Sequence, residues 1–221
     1  MQRLMQLMAQ QLPHRIVPPL ITSGALELHP LPLHQQILQF GQQAIAAGHN
    51  AMQVVPLFLL PGVHVMEDIP SEVTIVRQSL DLPVEVTPHL GNHPRLPELL
   101  NPPTPVPGES LILLAHGSRR AGGNAPVEAI AHSLNALPAF WSVAPDLETQ
   151  VMRLVKAGKT RITVLPYFLF AGGITDAIAQ QVDQLSEQFP QVSLELLEPL
   201  GATAELAEVV LEQMQAIARL P

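Results

Sequence analysis

An α/β protein of two similar parallel-sheet lobes is the fold class this sequence predicts, and three observations carry it. Apolar runs such as Leu111-Ile112-Leu113-Leu114-Ala115 lack polar alternation, as expected of strands covered by helices on both faces. Strand-like and helix-like stretches alternate along most of the chain, which implies parallel strands joined by right-handed crossovers. The chain also repeats itself 110 residues on. Pro166 falls on Pro56, Phe168 on Phe58, Leu169 on Leu59, Gly172 on Gly62, Glu195 on Glu85, Leu200 on Leu90, Gly201 on Gly91 and Leu206 on Leu96. That many identities in one ungapped register mark a duplicated unit.

In order, Leu4, Met5, Leu7, Met8 and Leu12 have the spacing of a helix face over residues 2–12, which the prolines at 13, 18 and 19 break. Residues 21–28 read as a strand and 33–47 as a helix closed by Gly48-His49-Asn50. A strand over 52–60, a turn, a helix over 67–80, a short strand at 84–86 and a short helix ending at Leu100 follow. Residues 101–110 are a proline-rich linker, stiff and unable to form a core. The predicted division is therefore a lobe over 1–100, the linker, and a second lobe over 111–221. The second lobe reads as strand 111–115, helix 124–137, strand near 140–144, helix 146–157, strand 161–170, helix 174–188, strand 192–197 and helix 203–219.

Charged residues make up 14% of the chain, below the usual ~25%, and the 23 prolines are about twice the ordinary share. A net charge of -8 argues against nucleic acid as a partner, but a few local cations suffice for a small anion. The absence of cysteine excludes disulfides, thiolate metal sites and cysteine-ligated iron–sulfur clusters. No apolar run reaches the ~18 residues of a membrane span, and the glutamine-broken N-terminus is not a signal peptide. A cytoplasmic monomer, with no membrane partner, is the expectation.

The chemistry concentrates after two strands. Val54-Val55-Pro56-Leu57-Phe58-Leu59-Leu60-Pro61-Gly62-Val63-His64 offers a histidine beyond an apolar strand, with Glu67 and Asp68 opening the next helix. Its repeat, Val164 to Asp176, has Ile174 where the first copy has His64. Leu111–Ala115 runs into His116-Gly117-Ser118-Arg119-Arg120. Upstream, Leu137-Pro138 matches Leu12-Pro13 at a displacement of 125, which puts the counterpart of His116 before Met1. The first half thus lacks the opening strand and its His-Gly-Ser turn, and Met1 is expected to be internal to a longer natural protein. The alternative is two halves that are unequal by design.

These motifs resemble the sirohydrochlorin chelatases of the CbiX/SirB type, class II tetrapyrrole chelatases in their long, two-lobed form. The matching residues are Leu113–Arg119, Val55–Pro70 and, more weakly, Pro88–Pro94. The resemblance covers nearly the whole chain. It implies two lobes facing a central cleft and insertion of Fe2+ or Co2+ into sirohydrochlorin, a lyase reaction of siroheme or cobalamin biosynthesis. No organic cofactor is implied, since the metal is a substrate. By resemblance His64 and His116 are the catalytic and metal-handling residues. Neutral imidazole can ligate such ions and accept protons near pH 7. Ser118, Arg119, Gly62 and Gly117, with Arg120 beside them, are candidate anchors for the carboxylates of the macrocycle.

Neither half as written holds both histidines of the family pair. Three readings stay open: an upstream histidine is the natural partner of His64; His64 and His116 act across the cleft; or the chain is an inactive, non-catalytic tetrapyrrole- or metal-binding derivative. Glu67 and Asp68 read equally as supports of the metal site and as acids that complement a helix dipole. His93 reads as part of a plain loop before a helix.

Overall fold

The computed structural model describes residues 1–12, 18–100 and 108–217 of the chain, with side chains through residue 215. Two compact units are formed: Met1–Leu96 with Ala202–Pro221, and Pro97–Gly201.

The first unit contains α1 (Gln2–Gln11), α2 (Leu33–Ala46), β1 (Met52–Val54), α3 (Ile69–Ser79) and β2 (Val84–Val86). β1 and β2 pair in parallel. Leu33, Ile37 and Ala44 of α2 and Ile69, Val73 and Val76 of α3 recur at helical spacing and share a core with Met52 and Val84. Val73 and Val76 are fully buried, which is worth about 1.5–3 kcal/mol for each such side chain.

The second unit contains β3 (Glu109–Ala115), α4 (Ala125–Ser133), β4 (Ala136–Phe140), α5 (Leu147–Lys156), β5 (Arg161–Tyr167), α6 (Gly173–Gln188) and β6 (Ser193–Leu196). Its four strands are all parallel, in the order β4-β3-β5-β6. α5 shows how sequence makes an element here. Asp146 caps it by accepting the Thr149 N–H at 2.8 Å. Leu147, Val151 and Leu154 form the buried stripe, and Arg153 and Lys156 lie in the last turn, where cations complement the helix dipole. Ile112 and Leu114 of β3, Ile162 and Val164 of β5, and Ile178, Val182 and Leu185 of α6 complete that core.

The repeat is reproduced in the strand register. Met52, Gln53 and Val54 face Val84, Glu85 and Val86, and the residues 110 further on, Ile162, Thr163 and Val164, face Leu194, Glu195 and Leu196. Gly48 and Gly158 close α2 and α5 at φ 83° and 76°. Matched backbone bonds follow, His49 N–H to Ala44 and Lys159 N–H to Leu154. One element departs from the register. The buried positions of α3, Ile69, Val73 and Val76, precede Ile178, Val182 and Leu185 of α6 by 109 rather than 110. The extra residue is taken up in a π-turn over His64–Asp68, closed by Ile69 N–H on the His64 carbonyl.

Several expected elements differ. Residues 21–28 form no strand. Gln36 of α2 bonds Ala25 N–H, Ala25 O and Leu31 O through its side-chain amide, and Leu28 sits at φ 60°, outside the strand region. The strand expected over 52–60 is assigned only at Met52–Val54, and no strand lies along its other edge among the described residues. The strand expected near 140–144 is Ala136–Phe140, since Asn135 at φ 53° ends the preceding helical segment early. The short helix before Leu100 is two 3₁₀ turns, Leu90–Asn92 and Leu96–Leu99. The prolines at 13 and at 102–107 lie outside the described residues.

α7 (Ala204–Ile217), expected in the second lobe, packs instead in the first unit, against α1. Leu206, Ala207, Val209 and Val210 are buried there, as are Leu4 and Met8. Polar contacts fix its position. Arg95 donates to Glu212, and to Glu208 at 3.2 Å; His93 Nε2 lies 3.6 Å from Glu212, and Gln213 donates to the Pro88 carbonyl at 3.0 Å. His93 thus has a structural partner in α7. Among the described residues no helix is long and apolar enough to cross a membrane.

Candidate functional site

The π-turn sets the surroundings of His64. Its Nδ1 is 2.7 Å from Oδ2 of Asp68, four residues on. An ionised carboxylate only accepts, so in the neutral ring Nδ1 carries the hydrogen and Nε2 is the nitrogen with the lone pair. The side chain is 44% exposed, and Oε1 of Glu27 is 3.9 Å from Nε2. The ring packs on Phe58, centroids 5.8 Å apart with the planes tilted by 44°. The imidazole ring, with Asp68 at one nitrogen and Glu27 near the other, therefore stands on an apolar support, an arrangement that can ligate a divalent cation or accept a proton.

Asp68 is the last residue of the π-turn and also orients the His64 ring through its contact with Nδ1. Glu67 is exposed on the same turn. Gly62 has open space where a Cβ would stand; its N–H donates to Leu60 O at 2.9 Å and its carbonyl accepts from Met66. That amide is used within the turn. Glu27 was missed from the sequence, because its segment read as a strand and no motif surrounds it.

In the twin position Ile174 is exposed, and α6 begins directly as an α-helix whose Thr175 hydroxyl bonds the Gly172 N–H and carbonyl at 2.8 Å each. The unit with the histidine has the π-turn, and the unit without it has a regular helix start. π-turns inside helices recur at functional sites.

His116 follows β3 in the second unit and is exposed. Its carbonyl accepts the Ser142 N–H at 2.9 Å, which fixes the backbone of the turn. Gly117 is at φ 84°, and a Cβ there would come within 2.9 Å of both Phe140 and Val143, so only glycine fits. Ser118 N–H donates to Asn124 Oδ1 at 2.7 Å, and Asn124 Nδ2 returns a bond to the Ser118 carbonyl at 3.1 Å. The Ser118 hydroxyl accepts the Arg120 N–H at 3.2 Å. Arg119 and Arg120 are exposed. Asn124 was also missed; as a helix-opening asparagine it carried a capping signal, but its side chain ties back to the turn instead. His64 and His116 belong to different units. Among the described residues no group of three or more His, Cys, Asp or Glu is arranged to hold a metal ion.

The family model described as CbiX matches residues 2–102 and 110–217. A sirohydrochlorin cobaltochelatase of Priestia megaterium is 25% identical over 196 residues, covering 77% of this chain and 62% of that protein. The chain thus spans less than two thirds of that relative. A sirohydrochlorin ferrochelatase of Bacillus subtilis is 25% identical over 186 residues, covering 76% of this chain and 70% of its own length. In three dimensions the chain is similar to SirB from Bacillus subtilis with Fe3+, at TM-score 0.76 and 20% identity over 99% of this chain and 88% of that one. A cobalt complex of the sirohydrochlorin chelatase SirB from Bacillus subtilis subspecies spizizenii matches at TM-score 0.65 and 20% identity over 89% and 80%. These likenesses bear out the α/β fold with parallel sheets.

Proposed function

The chain belongs to the CbiX family, and from that premise we propose that it handles a divalent metal for insertion into sirohydrochlorin, with Fe2+ or Co2+ as substrate and His64 as the residue that takes the ion. The observation that carries this reading is the pairing of His64 Nδ1 with Asp68 at 2.7 Å, which leaves Nε2 of a half-exposed side chain 3.9 Å from Glu27. Two of the most similar relatives are a cobaltochelatase and a ferrochelatase of that macrocycle, and imidazole with carboxylate accepts either ion.

Insertion exchanges two pyrrole N–H protons for a dication. His64 Nε2 binds the ion and, once it has passed on, can take a proton; the Glu27 carboxylate is the second acceptor within reach. Asp68 keeps the imidazole in the tautomer that presents Nε2. A metal that is delivered must also be released, and a site with few ligands suits delivery better than storage. In the second unit, exposed Arg119 and the turn around Ser118 are candidate groups for macrocycle carboxylates, and His116 is a second candidate ligand. A non-catalytic carrier remains the competing reading.

The purified protein is mixed with sirohydrochlorin and Co2+ or Fe2+, and insertion is followed by the change in ring absorption. Acceleration over the protein-free rate is expected; ring binding without acceleration would establish the carrier instead. His64→Ala should abolish the acceleration with an unchanged circular dichroism spectrum. Asp68→Asn should weaken metal affinity by about 10–100-fold. Wild-type rates in His64→Ala would overturn the assignment.

A further inference from the structure

Beside β1, in the first unit, lies a groove with a cavity of about 540 Å³. Its walls include Met8 of α1, Phe40 of α2, Val210 and Met214 of α7, and the strand residues Gln53 and Val55. Backbone alternation shows what the strand presents to it. Met52 N–H donates to the Pro83 carbonyl, and the carbonyls of Val54, Pro56 and Phe58 accept from Thr87, Leu90 and Gly91. Those even-numbered residues all turn their peptide groups to the β2 side. The peptide groups of Gln53, Val55 and Leu57 therefore face the groove, and among the described residues none of them has a backbone partner.

The second unit shows what belongs on such an edge. Thr163, Leu165 and Tyr167 stand 110 residues after Gln53, Val55 and Leu57, and β3 runs parallel alongside them, Leu111 opposite Thr163 through to Ala115 opposite Tyr167. The opposite edges of the two strands are paired in identical register in both units. The two edges thus differ in one respect: in the second unit this side is occupied.

We propose that the β1 edge is an acceptor for one extended apolar peptide, running parallel to β1 along residues 53–57 and of the chemistry of Leu111–Ala115. An extended segment satisfies alternate peptide groups that a helix or a small apolar molecule would leave unpaired. Apolar side chains are required on both of its faces, because helices flank the groove. β3 meets that condition: Ile112, Leu113, Leu114 and Ala115 are all 0% exposed.

The probe is a fluorescein-labelled synthetic peptide with the sequence of residues 109–115 and a Lys-Lys tail for solubility, titrated into the full chain by fluorescence anisotropy. Two further peptides carry backbone N-methyl groups on alternate residues, one in each phase. Strand addition predicts that one phase binds at least about tenfold more weakly and the other within about twofold, since only one set of N–H groups faces β1. Peptide binding should also slow hydrogen exchange of the Gln53, Val55 and Leu57 amides. Equal affinity in both phases would mean non-specific apolar association and would overturn the proposal. So would a lack of binding by the unmodified peptide, protection confined to other residues, or a dimer in sedimentation that the peptide does not disperse. Because the changes are made in the guest, misfolding of the protein cannot imitate any of these results.

Discussion

His89 is 5% exposed and neither ring nitrogen has a hydrogen-bond partner among the described residues. Burial therefore lowers its pKa from the ordinary 6.5, because the charged form loses its solvation. The sign of the linkage follows. Well above 6.5 the ring is neutral in both folded and unfolded chains, and its titration adds no pH dependence. As pH falls below 6.5 the unfolded chain binds a proton that the folded chain does not, and stability declines. His89→Leu should remove this decline. Urea melts at pH 7.5 and 5.5 should show a smaller loss of midpoint in the variant than in the wild type, and equal losses would refute a neutral buried ring. At this scale the sequence was partly legible. His64 stood out because a long motif surrounds it and its twin lacks it. Glu27 did not, since only the fold of an irregular segment brings it within 3.9 Å of the ring.

Among elements, α5 offers the cleanest test. The Thr149 hydrogen bonds hold the Asp146 carboxyl below its ordinary value of 3.8, so its contribution is present above that pH and is lost as pH falls through the lowered value. Asp146→Ala should cost about 0.5–2 kcal/mol at pH 7, while Asp146→Asn, which keeps the acceptor oxygen and loses the charge, should cost less. The deficit of the alanine variant should shrink in melts at pH 3. A deficit independent of pH would mean that the cap does not act through its charge. Helices were legible where apolar spacing and a terminating glycine agreed, as at Gly48. Strands were less so. Pro166 sits inside β5, where β3 supports it, whereas the equivalent Pro56 lies beyond the end of β1. The same apolar stretch is a seven-residue strand in one setting and a three-residue strand in the other, and local sequence cannot express which neighbours it will have.

For the whole molecule, the duplication was readable because identities share one register, and the fold class followed from it. The allegiance of α7 was not. Its apolar face would suit either unit, and the residues that select the first, Arg95 and Pro88, lie more than a hundred positions earlier. A chain ending at Gly201 would uncover Leu4 and Met8 and leave Arg95 without Glu208 and Glu212. In a thermal melt it should lose the transition of the first unit, keep that of the second, and bind an apolar dye. Retention of both transitions would show that α7 is dispensable. The interleaving of the first unit also dictates an order of manufacture. Residues 97–201 leave the ribosome as one continuous segment and can fold at once, whereas the first unit, begun earlier, has to wait for residues 204–217 to be translated. The half of the protein made first is the half finished last, and in the interval its apolar surface depends on whatever in the cell shields nascent chains.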